Sequence, residues 1–285
     1  MLTPEQRYLF DLTGYLHLEG VLQGEALAQA QEAADRYISL EPEGWPPGFS
    51  ADLERRDHTG YQHGFAFDKA LEALTLHPAT WPILMELTNY RPRFTSGTLL
   101  RNRHGHLFHP LHAGSRPGHR PDTRRLWIED GQIRCTDFIF FFYLTDVFPG
   151  DGGLMVLPGS HKSHFPKPKD MFYTDTYYIE DYVAEEVLPG VANLTARAGD
   201  VLVCSELLIH GALTWKPRDR ERRLLTMRYG VQHTVTGSIK PFSEEIRARL
   251  SPETLELIEV APYNHVKEIV KKRCGDSFKA SFPED

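Results

Sequence analysis

The rhythm of apolar and polar residues changes near residue 90. Before it they recur at helical spacing, and after it they come in short runs broken by Gly, Pro and Asp. Thr3, followed by Pro4, Glu5 and Gln6, is an N-cap with proline at the first helical position, and it predicts a short helix that stops before Gly14. YLHLEGVL (15–22) alternates and predicts a strand or extended segment. Leu27, Ala28, Ala30, Ala34 and Ile38 fall near helical spacing and predict an amphipathic helix over 25–39. The stretch 41–65 is rich in Pro, Gly and charge and reads as a loop, and 69–89 reads as one or two helices.

Six later runs have strand character: FTSGTLLRN (94–102), RLWIE (125–129), DFIFFFYLTDV (137–147), GLMVLPG (153–159), DVLVCSELLIHG (200–211) and RRLLTMRYGV (222–231). Turn signals EDG (129–131) and PGDGG (149–153) separate some of them. Helices first and strands afterwards predict a mainly β fold, closed or double-sheeted, with helices packed outside it. A helical tail, SPETLELIE and then APYNHVKEIVKKR, follows from Ser251. The pattern contains no internal repeat. It reads as one domain, with a helical part over 1–90, a β core over about 94–232 and a helical tail over 243–285.

Composition narrows the class. Across 285 residues, 41% hydrophobic and 11% aromatic content is enough to fill a sizeable core, which argues against disorder. The net charge of -7, with no basic stripe beyond the short run at 218–223, disfavours nucleic acid or an anionic membrane as a partner. Cys135, Cys204 and Cys274 are scattered with no CxxC spacing, and MLTPEQRYLFDLTGY has neither a basic start nor an apolar signal core. The expected compartment is therefore the cytoplasm. No run approaches the ~18 apolar residues that a membrane helix needs.

Histidine carries the chemistry. RNRHGHLFHPLHAGSRPGH (101–119) holds five of the 14 histidines, and no Asp or Glu follows until Asp122. Imidazoles bunched in this way suggest a metal. His104, His106 and His119 lie in polar loop sequence and read as solvated, while the direction of His109 is open. In DVLVCSELLIHG, strand alternation places Leu202, Cys204, Glu206, Leu208 and His210 on one face. His210 is then either a satisfied core residue or a ligand at the mouth of a barrel. In RRLLTMRYG, Arg222, Leu224, Thr226 and Arg228 share a face. An arginine among Leu and Thr needs an anionic partner, either an internal acid or the carboxylate of a small ligand. DGGLMVLPGSHKSHF (151–165) reads as a strand ending in a turn, with solvated His161 and Lys162. Asp146 and Asp151 read as turn residues, and Trp215 as lining the substrate mouth or covering the sheet edge.

Together, HPLH (109–112), DGGLMVLPGSHKS (151–163) and the H-x11-R spacing from His210 to Arg222 resemble the phytanoyl-CoA dioxygenase family of Fe(II)/2-oxoglutarate oxygenases. The N-terminal LTPEQRYLF and GYLHLEGVL are similar to that family as well, so the resemblance covers roughly residues 3–232. It implies a double-stranded β-helix, a jelly roll or cupin-like fold flanked by N-terminal and C-terminal helices. It also implies the cofactors Fe(II) and 2-oxoglutarate, and hydroxylation of a C–H bond in a small-molecule substrate. Carried over by position, His112 and His210 match the metal ligands, and Arg222 matches the arginine that binds the far carboxylate of 2-oxoglutarate. The spacing to Arg222 is one residue longer than is usual in the family, which leaves Arg220 and Arg223 as alternatives. Tyr143 falls where the family often places an aromatic beside the cofactor.

The chain departs from the family two residues after His112, where Gly114 stands in place of Asp or Glu. Three arrangements fit this gap. The metal keeps two histidines and takes water or an anion, as in related halogenases that bind chloride. Alternatively, another acid fills in, with Asp122 as a candidate and Glu206 disfavoured because four strand residues span ~13 Å. In the third, the protein is a non-catalytic binding relative. The segment 113–134 contains Arg116, Arg120, Arg124, Arg125 and Arg134, and reads as a lid that favours an acidic substrate. No phosphate-cradling Gly loop favours a CoA ester over a small free metabolite. Oligomeric state is not legible.

Overall fold

The computed structural model describes residues 2–112, 125–163, 165, 190–235, 239 and 241–275. Gly114, Arg116, His119, Arg120, Asp122 and Arg124 lie outside them. The helices are α1 (Pro4–Thr13), α2 (Gly24–Ser39), α3 (Lys69–Glu72), α4 (Trp81–Leu87), α5 (Glu244–Arg247), α6 (Pro252–Ile258) and α7 (Glu268–Cys274). The first is bounded as its sequence predicts. The Thr3 side chain accepts from the Gln6 amide, Gln6 reaches back to the Thr3 amide, and Gly14 closes the helix at φ +84°.

The strands are β1 (Tyr15–Leu18), β2 (Ala51–Asp52), β3 (Thr59–Tyr61), β4 (Pro92–Asn102), β5 (His109–His112), β6 (Leu126–Glu129), β7 (Gln132–Cys135), β8 (Asp137–Tyr143), β9 (Gly153–Val156), β10 (Ala192–Asn193), β11 (Val201–Ser205), β12 (His210–Leu213) and β13 (Arg222–Val231). Seven form a large antiparallel sheet in the order β1-β11-β8-β13-β4-β3-β2, and four form a smaller one in the order β10-β9-β12-β5. β6 and β7 pair as a separate hairpin. The fold is mainly β, a jelly roll with helices flanking the sheets. The part before residue 90 is not purely helical, because it gives β1 to one edge of the large sheet and β2 and β3 to the other.

The run DFIFFFY is uniformly apolar because β8 is covered on both faces. Phe138, Phe140 and Phe142 pack outward with Val201, Val203, Leu225 and Met227 in a core that includes Phe10, Tyr37, Leu84 and Val270 from the helices. Ile139, Phe141 and Tyr143 point inward and join Leu154, Val156, Leu202, Cys204 and Leu224 between the sheets. Two buried faces remove the polar half of the alternation. The outer core fixes the large sheet, and the inner one sets the floor of the cavity between the sheets.

The sequence 200–211 is not one strand. β11 ends at Ser205, a turn closed by the Leu208 amide on the Ser205 carbonyl (3.0 Å) follows, and β12 begins at His210 in the other sheet. Periodicity does not register such a crossing, because both halves are apolar.

Candidate active site

A cavity of about 300 Å³ opens between the two sheets, with His112 and His210 on its small-sheet wall and Arg222 on its large-sheet wall. His112 and His210 are directly paired across β5 and β12, and their rings lie 4.4 Å apart. Each is oriented by its own strand. His112 Nδ1 donates to the Pro110 carbonyl (2.9 Å) and His210 Nδ1 to the Leu208 carbonyl (2.7 Å), so Nε2 is the nitrogen left on each for a metal. Burial, with His210 and His109 adding to it, pushes His112 down to about 3, and burial pushes His210 down as well. Both rings are therefore neutral at pH 7, the form that ligates a metal. Gly211 allows the two strands to pair this closely, because a Cβ there would stand 2.6 Å from the His109 carbonyl oxygen.

Arg222 is buried, and its Nε donates to Asn102 Oδ1 at 3.1 Å. Its Nη1 has no partner among the described residues, and neither has the Tyr143 hydroxyl beside it. Burial, tempered by Arg222, pushes Tyr143 up to about 12. Burial pushes the guanidinium pKa down, and only Tyr143 opposes that. An orphaned charged donor and an orphaned hydroxyl in one buried place are matched by an anion with lone pairs to offer, such as a carboxylate. Gly153 makes room here, since a Cβ at that position would lie 2.6 Å from Arg222 Nη1. The two arginines left as alternatives are engaged elsewhere. Arg223 pairs with Asp35 on α2, and Arg220 pairs with Asp151 at 2.5 Å.

Of the two acids weighed for the place that Gly114 leaves open, Asp122 lies outside the described residues and Glu206 is engaged elsewhere. Glu206 sits in the turn between β11 and β12, where its Oε1 accepts from Arg228 Nε at 2.8 Å. Its charge acts on both histidines without joining them. Among the described residues no three His, Cys, Asp or Glu side chains are placed around one point as metal ligands.

One acid in the cavity wall escaped the sequence reading. Asp57, buried in the segment between β2 and β3, accepts from His109 Nδ1 (2.6 Å), His58 Nδ1 (3.0 Å) and Arg55 (2.8 Å). Burial alone would raise its pKa, but these three donors hold the carboxyl well below the usual carboxylate range. The only signal available was an acid flanked by Arg and His in ERRDHTG, inside sequence with no periodicity. Asn102 ends a run that reads as a strand, but its role depends on Arg222 and Asp57 from other segments, which the run itself does not show.

Other expectations shift. His161 is not solvated: it is buried against Gly14, with Nε2 on the Asp11 carbonyl at 3.0 Å. Trp215 is neither at the mouth nor on an edge, because it lies in the core between the sheets and donates to the Arg220 carbonyl. Arg134 does not serve a lid, since it is buried and donates to the Glu86 carbonyl at 2.6 Å. His104 and His106 lie in the loop before β5, where His104 Nδ1 bonds to the Lys216 carbonyl and His106 Nδ1 accepts from the Arg103 amide. Asp151 accepts from the Phe148 amide, as a turn residue does, whereas Asp146 accepts from the distant Ala198 amide and ties its turn to the segment before β11.

A jelly roll with a neutral histidine pair at one end of its cavity and an unpaired buried arginine at the other defines a class, the non-haem iron enzymes that use 2-oxoglutarate. The chain matches the phytanoyl-CoA dioxygenase family over residues 10–222, and it belongs to that family. Among solved structures it is similar to HygX from Streptomyces hygroscopicus with nickel, 2-oxoglutarate and hygromycin B bound (25% identity, 81% of this chain and 88% of that one, TM-score 0.64). The carbocyclase SnoK from nogalamycin biosynthesis shares the fold at 20% identity, over 88% and 92% of the two chains, with a TM-score of 0.58. EctD from S. alaskensis, with 2-oxoglutarate and 5-hydroxyectoine, shares it at 19% identity, over 81% and 77%, with a TM-score of 0.61. No curated protein matches the chain. Among the described residues no helix is long and apolar enough to cross a membrane.

Proposed function

We propose that this oxygenase hydroxylates a C–H bond of a small, polar molecule. The observation that carries the reading is the placement of Arg222, a buried charge with an unpartnered nitrogen, in the same cavity as the His112–His210 pair. His112 and His210 would hold iron through Nε2. Arg222, with the Tyr143 hydroxyl beside it, would take the distal carboxylate of 2-oxoglutarate. When bound, iron and 2-oxoglutarate supply the oxidising chemistry, in which O2 is consumed and 2-oxoglutarate is converted to succinate and CO2. The chain's own part is to fix the cofactor's two ends, hold its imidazoles neutral and keep water from the interior.

The rest of the cavity lining supports a hydrogen-bonding substrate, because it includes Asp52, Arg55, His58 and Gln62. HygX, which has been crystallised with hygromycin B, supports a small-molecule substrate rather than a macromolecule. Gly114 favours a second reading, in which chloride takes the position an acid would fill and the product is chlorinated.

Uncoupled turnover tests the reading without a known substrate. The Fe(II)-loaded chain should convert 2-oxoglutarate to succinate with O2 uptake, and His112→Ala and Arg222→Ala should not. Equal succinate from all three proteins would reject it.

A further inference from the structure

A cofactor reaching from the histidine pair to Arg222 has to pass one intermediate row of the small sheet. On β12, His210 pairs with His112 and Val156, Ala212 pairs with His109 and Leu154, and Leu213 pairs with Gly153, which lies against Arg222. His109 is the polar side chain of that middle row. Residues three apart on a regular strand face opposite sides. Here two steps of β12 face three of β5, and this bulge turns His109 and His112 to the same cavity, with their rings 4.6 Å apart. Bulges beside active sites commonly re-aim a side chain in this way.

The ring is also fixed. Its Nδ1 donates to Asp57 Oδ2, the Asp57 carbonyl accepts from Asn102 Nδ2 (2.7 Å), and Asn102 Oδ1 accepts from Arg222 Nε (3.1 Å). One hydrogen-bonded chain thus joins the middle row to the anion end, and it leaves Nε2 as the edge of His109 available to a ligand. We infer that His109, held by Asp57, is a cofactor-binding residue whose Nε2 contacts 2-oxoglutarate between its metal end and Arg222. The inference rests on the oxygenase reading above.

Calorimetric titration of the nickel-loaded chain with 2-oxoglutarate tests it without turnover. A hydrogen bond to a charged group sets the scale, so His109→Ala should weaken 2-oxoglutarate binding roughly ten- to hundredfold, and His109→Gln should recover part of that loss. Asp57→Asn, which keeps the shape of the side chain but releases the imidazole, should weaken binding in the same direction. Nickel affinity should fall by less than the roughly tenfold that loss of even an outer support of a metal ligand costs. Unchanged 2-oxoglutarate affinity in His109→Ala overturns the inference. So does an equal loss of nickel, which would make His109 a metal ligand instead. If the wild-type chain binds nickel but no 2-oxoglutarate, the oxygenase reading itself falls and takes the inference with it.

Discussion

Replacing Arg222 with Met separates what a buried charge costs the fold from what it gives the site. The guanidinium is buried, holds one hydrogen bond to Asn102 and leaves Nη1 unpartnered. An orphaned buried donor costs about 1–3 kcal/mol, and apolar replacement of buried charges of similar volume ranges from neutral to about 4 kcal/mol stabilising. Losing the bond to Asn102 offsets about 1 kcal/mol of that gain. The metal-free variant should therefore lie between about 1 kcal/mol less stable and about 3 kcal/mol more stable than the wild type. The liganded comparison should run the other way. Nickel-loaded wild type with 2-oxoglutarate at a hundred times its Kd gains about 2.7 kcal/mol, a rise of roughly 5–10 °C for a chain of this size. Arg222→Met loses two charge-assisted hydrogen bonds, about 3 kcal/mol or more, so that rise should vanish. Differential scanning calorimetry with and without the two ligands reads both effects. The reasoning is refuted if the metal-free variant melts well below wild type, or if 2-oxoglutarate still raises its Tm.

His112→Ala and His210→Ala should each lower nickel affinity by about a hundredfold or more while the far-ultraviolet circular dichroism is unchanged, as measured by titration calorimetry. Gly153→Ala forces a Cβ against Arg222 at φ +84°, and should cost about 1–3 kcal/mol in urea melts while weakening 2-oxoglutarate binding. Asp57 is held well below the unfolded carboxyl value of about 3.9, so the unfolded chain takes up its proton first. Its stabilising contribution is therefore complete above about pH 4 and is lost as the pH falls below that, so Asp57→Asn should be less stable than wild type at pH 7 by a margin that shrinks on acidification. Under 18O2 in chloride buffer, the product should carry labelled oxygen, and mass spectrometry finding chlorine in its place would establish the reading that Gly114 favours.

Parts of the fold were legible wherever one local rule acted alone. The cap at Thr3, the stop at Gly14 and the whole of β13 follow from local patterns. So does the inward face of Arg222, which a two-residue period reads directly. The family resemblance brings His112 and His210 to one metal, while the residue pattern alone gives only two separate motifs, since their contact depends on the pairing of β5 with β12 and on the turn that carries the chain from one sheet to the other. His109 could not be oriented because a bulge leaves no mark in the alternation. Asp57 sits where there is no periodicity, and its role comes from three donors, one of them contributed by β5 from across the cavity. His161 and Arg134 misled for a related reason: polar side chains near turns look solvated until backbone carbonyls from other elements cover them.

The central claim is that one cavity holds both a metal and 2-oxoglutarate. Anaerobic titration of the metal-free chain with Fe(II) and then 2-oxoglutarate, followed through the visible metal-to-ligand charge-transfer band, tests it most directly. The account predicts a band in the wild type, its loss in His112→Ala and its loss or weakening in Arg222→Ala. A wild-type chain that takes up iron and shows no band at saturating 2-oxoglutarate, with or without chloride, would contradict it.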